Sequence, residues 1–92
     1  MKVTNCRAVF VAAACDKRLT NALRRKCDRI AAAMARHPRL AVAVQARLLH
    51  AYERANGPIV GAIPWQAILE WFLANGPTII AMILKLLALF GL

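Results

Sequence analysis

The last third of the chain, Ile59 to Leu92 (IVGAIPWQAILEWFLANGPTIIAMILKLLALFGL), carries only two formal charges, Glu70 and Lys85. Such a run has to leave water, into lipid or into protein. Its punctuation limits the shapes it can take. Pro64 suits the first turn of a helix, where a missing N–H costs nothing. Asn75-Gly76-Pro77 is a stop and restart, with Asn or Gly taking a left-handed cap and Pro77 opening the next helix. The pattern predicts helices over about 64–74 and 77–90. On the first, Trp65, Ile68, Leu69 and Phe72 fall on one apolar face, with Gln66 and Glu70 opposite. The second is apolar nearly all round, through Ile79, Ile80, Ile83, Leu84, Leu87 and Phe90. One stripe differs, Thr78, Ala81, Lys85 and Ala88, whose small residues would let another helix approach closely.

A membrane-spanning helix needs about 20 apolar residues, and neither segment reaches that. The stretch therefore reads as a helical hairpin: a re-entrant or interfacial wedge in a membrane, or the core of a helical assembly. In an antiparallel pair Glu70 and Lys85 would lie about one turn apart along the axis, which makes them a candidate ion pair. The other solution for Lys85 is to reach water along its own stem.

The remainder is opposite in character. Residues 1–58 hold twelve Lys or Arg and three Asp or Glu, so the whole net charge of +9 lies there. The composition, 61% hydrophobic with scarce Gly and Pro at boundaries, is that of an all-α protein. Thr4 or Asn5 can cap a first helix. Ala8, Ala12, Cys15, Leu19, Leu23, Cys27, Ile30 and Met34 repeat at steps of three and four, which predicts one long helix over about 5–36. His37-Pro38 breaks it. A further helix over about 38–55 carries Leu40, Val44, Leu48 and Tyr52 on one face, with Ala41 and Gln45 beside them. It ends at Asn56-Gly57-Pro58, the same tripeptide that follows the next helix, which reads as repeated cap chemistry. The expectation is thus an all-α protein of about four helices: a basic amphipathic region, 1–58, followed by an apolar helical hairpin, 59–92.

Chemistry-bearing constellations are few. Cys6, Cys15 and Cys27 are odd in number and widely spaced, which is neither a disulfide framework nor a zinc pattern; free thiols on apolar helix faces are expected. The basic start, the apolar Ala8–Ala14 and Cys15 are like a weak bacterial lipoprotein signal. The apolar run is short for that, and small Ala12 stands where a larger residue is usual. His37 reads as a turn residue and His50 as a surface residue. No carboxylate pair, nucleophile–base set or phosphate loop is present, so an enzyme is not expected. Nothing calls for a cofactor, a metal or a small-molecule substrate.

What remains is surface chemistry. Lys17, Arg18, Arg24, Arg25, Arg29, Arg36 and Arg39 are the candidate anionic-surface residues. Trp65, Ile68, Leu69, Phe72, Ile79, Ile80, Ile83, Leu84, Leu87 and Phe90 are the candidate membrane or oligomer contacts. The first expectation is a small cationic membrane-associated protein, holin-like or pore-forming, or a membrane-active toxin. Anionic lipid is then its partner, with the basic half on the cytoplasmic side. The alternative is a structural subunit of a viral particle or other helical assembly, packed through its apolar hairpin as a homo-oligomer or with a larger partner. Its basic helices would then face nucleic acid or an acidic partner. No aromatic residue interleaves the Arg-rich stretch, so nucleic acid would be held through phosphates only.

Overall fold

The structure, a computed structural model, describes residues 2–92; Met1, the first residue of the lipoprotein-like pattern, lies outside them. The described residues form five α-helices and no strand: α1 (Cys6–Ala14), α2 (Asn21–Arg36), α3 (Pro38–Asn56), α4 (Trp65–Ala74) and α5 (Gly76–Leu89). The all-α expectation holds, with one helix more than expected.

The extra helix comes from a break in the long first segment. Asn5 caps α1, its Oδ1 accepting from Ala8 N at 2.8 Å. At Cys15–Thr20 the chain turns. Asp16 Oδ1 accepts from Arg18 N at 2.8 Å, an Asx turn that competes with the helix. Thr20 then caps α2 by accepting from Leu23 N at 3.2 Å. Leu19 stays buried inside this break, so the apolar repeat runs on through a place where the helix does not. The expected stripe is correct from Leu19 onward and rotated before it. On α1 the buried face is Cys6, Val9, Phe10 and Ala13, while Cys15 is exposed.

His37 is extended (φ −129°, ψ 91°), and Pro38 opens α3 at its first turn. Leu40, Val44 and Leu48 are fully buried along α3. Asn56 and Asn75 end their helices in the same way, each side-chain amide donating to the carbonyl four residues back, Tyr52 O at 3.0 Å and Trp71 O at 2.8 Å. The two glycines that follow are not equivalent. Gly57 has φ +93°, a conformation that needs glycine. Gly76 does not take a left-handed cap; it is the first residue of α5, buried against Leu19.

The expected hairpin is an open corner. α4 and α5 meet at 104° across Asn75, and each packs mainly on other helices. α4 lies on α1, and α5 lies on α2 and α3. Leu19 meets the start of α5 and Arg36 its end, so α2 and α5 run parallel. The last turn of α3 meets the start of α5 and its first turn meets Phe90, so α3 and α5 run antiparallel. One core runs from Val3 to Leu87 and joins the basic and apolar regions, with no buried polar or charged side chain among the described residues. Phe10 and Phe72 stack edge to face within it, ring centroids 5.3 Å apart. On α5, Ile79, Ile80, Ile83, Leu86 and Leu87 are all buried. At roughly 1.5–3 kcal/mol per side chain their burial contributes on the order of 10 kcal/mol, comparable with the whole net stability of a domain.

Candidate functional site

The apolar residues expected to meet lipid or a second copy mostly meet their own chain. Ile68, Leu69, Phe72, Ile79, Ile80, Ile83 and Leu87 are buried in the core, and Trp65 and Leu84 are half-buried against it. Phe90 alone of that set is exposed. The small-residue stripe of α5, Thr78, Ala81, Lys85 and Ala88, is exposed. Among the described residues no single helix is long and apolar enough to cross a membrane; α4 and α5 together pass, by length and composition only, as a bent pair.

The expected Glu70–Lys85 pair does not form. The corner carries α5 away from α4, and Glu70 instead accepts from Arg18 Nη1 at 2.8 Å. Arg18 also binds Asp16 through Nε and Nη2, at 3.0 and 2.9 Å. Its guanidinium is thus held between two carboxylates, one from its own turn and one from α4. The hydrogen bond from Arg18 pulls the Asp16 carboxyl down to about 2, and Asp16, ahead of Glu70, raises the guanidinium further above its ordinary range. Arg18 therefore works as a clip between the α1–α2 turn and α4, its charge already matched, and differs in this from the other candidate anionic-surface residues.

The remaining cations face water. Twelve of the thirteen Lys and Arg side chains are exposed, Arg24 being half-buried. Among the described residues Arg18 is the only one in an ion pair. Arg24 and Arg25 rest on Asn21, through its side chain and its carbonyl. Lys17 is exposed in the α1–α2 turn. Arg25, Arg29 and Arg36 line the outer face of α2 at helical spacing. Arg39, Arg47, His50 and Arg54 line the outer face of α3, and Arg47 and Arg54 were missing from the sequence-based set. The seven-residue step between them was the available signal. Arg29, Arg36, Arg39, Arg47 and Arg54 make no hydrogen bond to protein among the described residues.

One end of the bundle differs from the rest. Where α2 meets α3 and α5 finishes, Arg36, His37, Pro38, Arg39, Leu40 and Phe90 line a cleft of about 560 Å³. Leu89 beside it is 80% exposed. Gly91, at φ +79°, closes α5: its N–H donates to Ala88 O and the Leu92 N–H to Leu87 O, both at 3.0 Å. This pair of hydrogen bonds is a Schellman motif, which fixes the backbone of residues 90–92 at the end of the helix.

The thiols are free, with Cys6 and Cys27 buried. Burial pushes each of these two up to about 12. Among the described residues no group of three His, Cys, Asp or Glu comes together in a way that would hold a metal ion. Comparison with protein-family models, with curated proteins and with solved structures finds no match to this chain.

Proposed function

We propose that the chain is a small cationic domain that works at an anionic membrane surface and binds it in its folded state. The observation that carries this reading is the separation of its two chemistries. The apolar helices are spent on the domain's own core, while the arginines of α2 and α3 line its outside and, among the described residues, form no ion pair. Each basic side chain near an anionic bilayer contributes about 1 kcal/mol, and the net charge of +9 favours approach from a distance. A holin-like or toxin role, with α4 and α5 inserted, would add a second step in which those helices leave the core and bury the same apolar side chains in lipid.

The test is sedimentation with vesicles of phosphatidylcholine alone and with phosphatidylglycerol added, at low and high salt. Binding is expected only with the anionic lipid, with loss in salt, because exposed charges are screened beyond roughly 8–10 Å at physiological ionic strength. A defined oligomer that ignores both vesicles would move the reading to a structural subunit of a viral particle or other helical assembly. That alternative draws on the uncovered stripe of Thr78, Ala81 and Ala88 on α5.

A further inference from the structure

We infer that the end of the bundle formed by Arg36, His37, Arg39, Leu89, Phe90 and Leu92 is the contact point for an anionic phospholipid, its phosphate held by Arg36 and Arg39 and its acyl chains against the three apolar side chains. This inference rests on the membrane-surface reading and narrows it from a charged surface to one oriented site.

Charge comes first. Arg36 and Arg39 line the same cleft, and neither has an ion-pair partner among the described residues. Among the described residues no Asp or Glu side chain lines it. The acidic side chains are placed elsewhere: Asp16 and Glu70 on the Arg18 clip, Glu53 in the last turn of α3, where it accepts from Ile59 N of the following loop at 2.9 Å, and Asp28 two turns back along α2. Lys85 is exposed one turn before Leu89 on α5 and adds to the positive field. Guanidinium groups bind phosphate through paired N–H donors.

The apolar part decides the kind of partner. Of the five large apolar side chains that are exposed among the described residues, Leu89, Phe90 and Leu92 belong to this end; Val42 and Val60 lie on α3 and in the loop that follows it. A phosphate site on a nucleic acid has no use for two exposed leucines. A phospholipid offers phosphate and hydrocarbon within one molecule, at the depth where Arg stems and apolar tips sit together. The Schellman closure at Gly91 holds the backbone at Phe90 and Leu92 in place, so little backbone ordering is needed on contact.

The experiment compares two charge-matched double variants on phosphatidylglycerol vesicles: Arg36→Gln with Arg39→Gln, and Arg47→Gln with Arg54→Gln. All four residues are exposed, so both variants are expected to keep the fold, which circular dichroism checks. At about 1 kcal/mol per basic residue, the first pair should weaken binding about 30-fold and the second by far less. Equal losses would overturn the site while leaving the membrane-surface reading intact; absence of binding by the parent chain would overturn both. A second readout uses nitroxide labels at Leu89→Cys and at Thr78→Cys near the other end of α5, each with Cys15→Ser. On vesicles, the label at position 89 should gain collisions with oxygen and lose them with an aqueous nickel complex. The label at position 78 should stay aqueous. The reverse, or no change at either, overturns the orientation. So does binding of the parent chain to an oligonucleotide, but not to vesicles, that depends on Arg36 and Arg39.

Discussion

Leu19 and Gly76 share one volume at the junction of three helices: a methyl group built on Gly76 would lie 2.8 Å from Leu19 Cδ2. Space and not backbone conformation is what an added methyl would contest, since Gly76 lies outside the left-handed region and the atom met is the tip of the Leu19 side chain. Gly76→Ala should therefore destabilise through overpacking, by about 1 kcal/mol, and the corner at Asn75 should persist. Urea unfolding followed by circular dichroism gives the size. In the double variant with Leu19→Ala the two effects should be non-additive by about the same amount. Simple additivity would show that the two residues do not compete for space.

The Arg18 clip gives a pH dependence. Asp16 has its carboxyl lowered to about 2, first by the Arg18 hydrogen bonds, whereas an unfolded Asp titrates near 3.9. A depressed carboxyl contributes stability that is fully present above about 4 and is lost as pH falls toward 2. Melting temperature against pH should fall across that window. Asp16→Asn keeps an oxygen for Arg18 N but has no charge, so its profile should be flatter there.

Thr20→Ala tests the break between α1 and α2 directly. Loss of the cap on Leu23 N should cost about 1 kcal/mol, measurable by chemical unfolding. A neutral result would mean that Asp16 and the buried Leu19 suffice to end α1.

That break also shows what could be read from the chain and what could not. The faces of α3 and α4 and the corner at His37-Pro38 follow from spacing and from proline chemistry, and the structure has them where they are expected. The α1–α2 turn was hidden because Leu19 keeps the apolar repeat in step while Asp16 and Thr20 interrupt the backbone. On α1 the larger Val9 and Phe10 select the core face over Ala8 and Ala12, a matter of side-chain size that the repeat alone does not weigh. The Glu70 partner depends on a 104° angle between two helices, and no spacing along a sequence encodes such an angle. Nor could spacing show that Arg36 and Phe90, 54 positions apart, line one cleft.

Thiol chemistry should separate the three cysteines. Cys15 is exposed, whereas Cys6 and Cys27 are buried and pushed up to about 12. Alkylation of the native protein near pH 8 should modify Cys15 rapidly and the other two only as fast as the fold opens. The buried thiols stay neutral in the fold, so their contribution to stability is complete below the ordinary thiol range and declines as pH rises from there toward 12.

Phe72→Ala should be among the most damaging single changes, at about 3–5 kcal/mol, because it leaves a hole facing Phe10 in the middle of the core. Thermal unfolding checks it; a loss below 1 kcal/mol would mean that α4 is only loosely docked.

The contact between Phe10 and Phe72 also bears on the order in which the protein can be made. Synthesis delivers α1, α2 and α3 first, together with nearly all of the positive charge, but α1 packs on α4, and α5 packs on both α2 and α3. The early helices can pack on one another as they emerge, but the parts of their apolar faces that meet α4 and α5 stay uncovered until residues far downstream arrive. Their mutual repulsion then helps, because a nascent segment that carries twelve cations and three acids is kept from its own copies until α4 and α5 complete the fold.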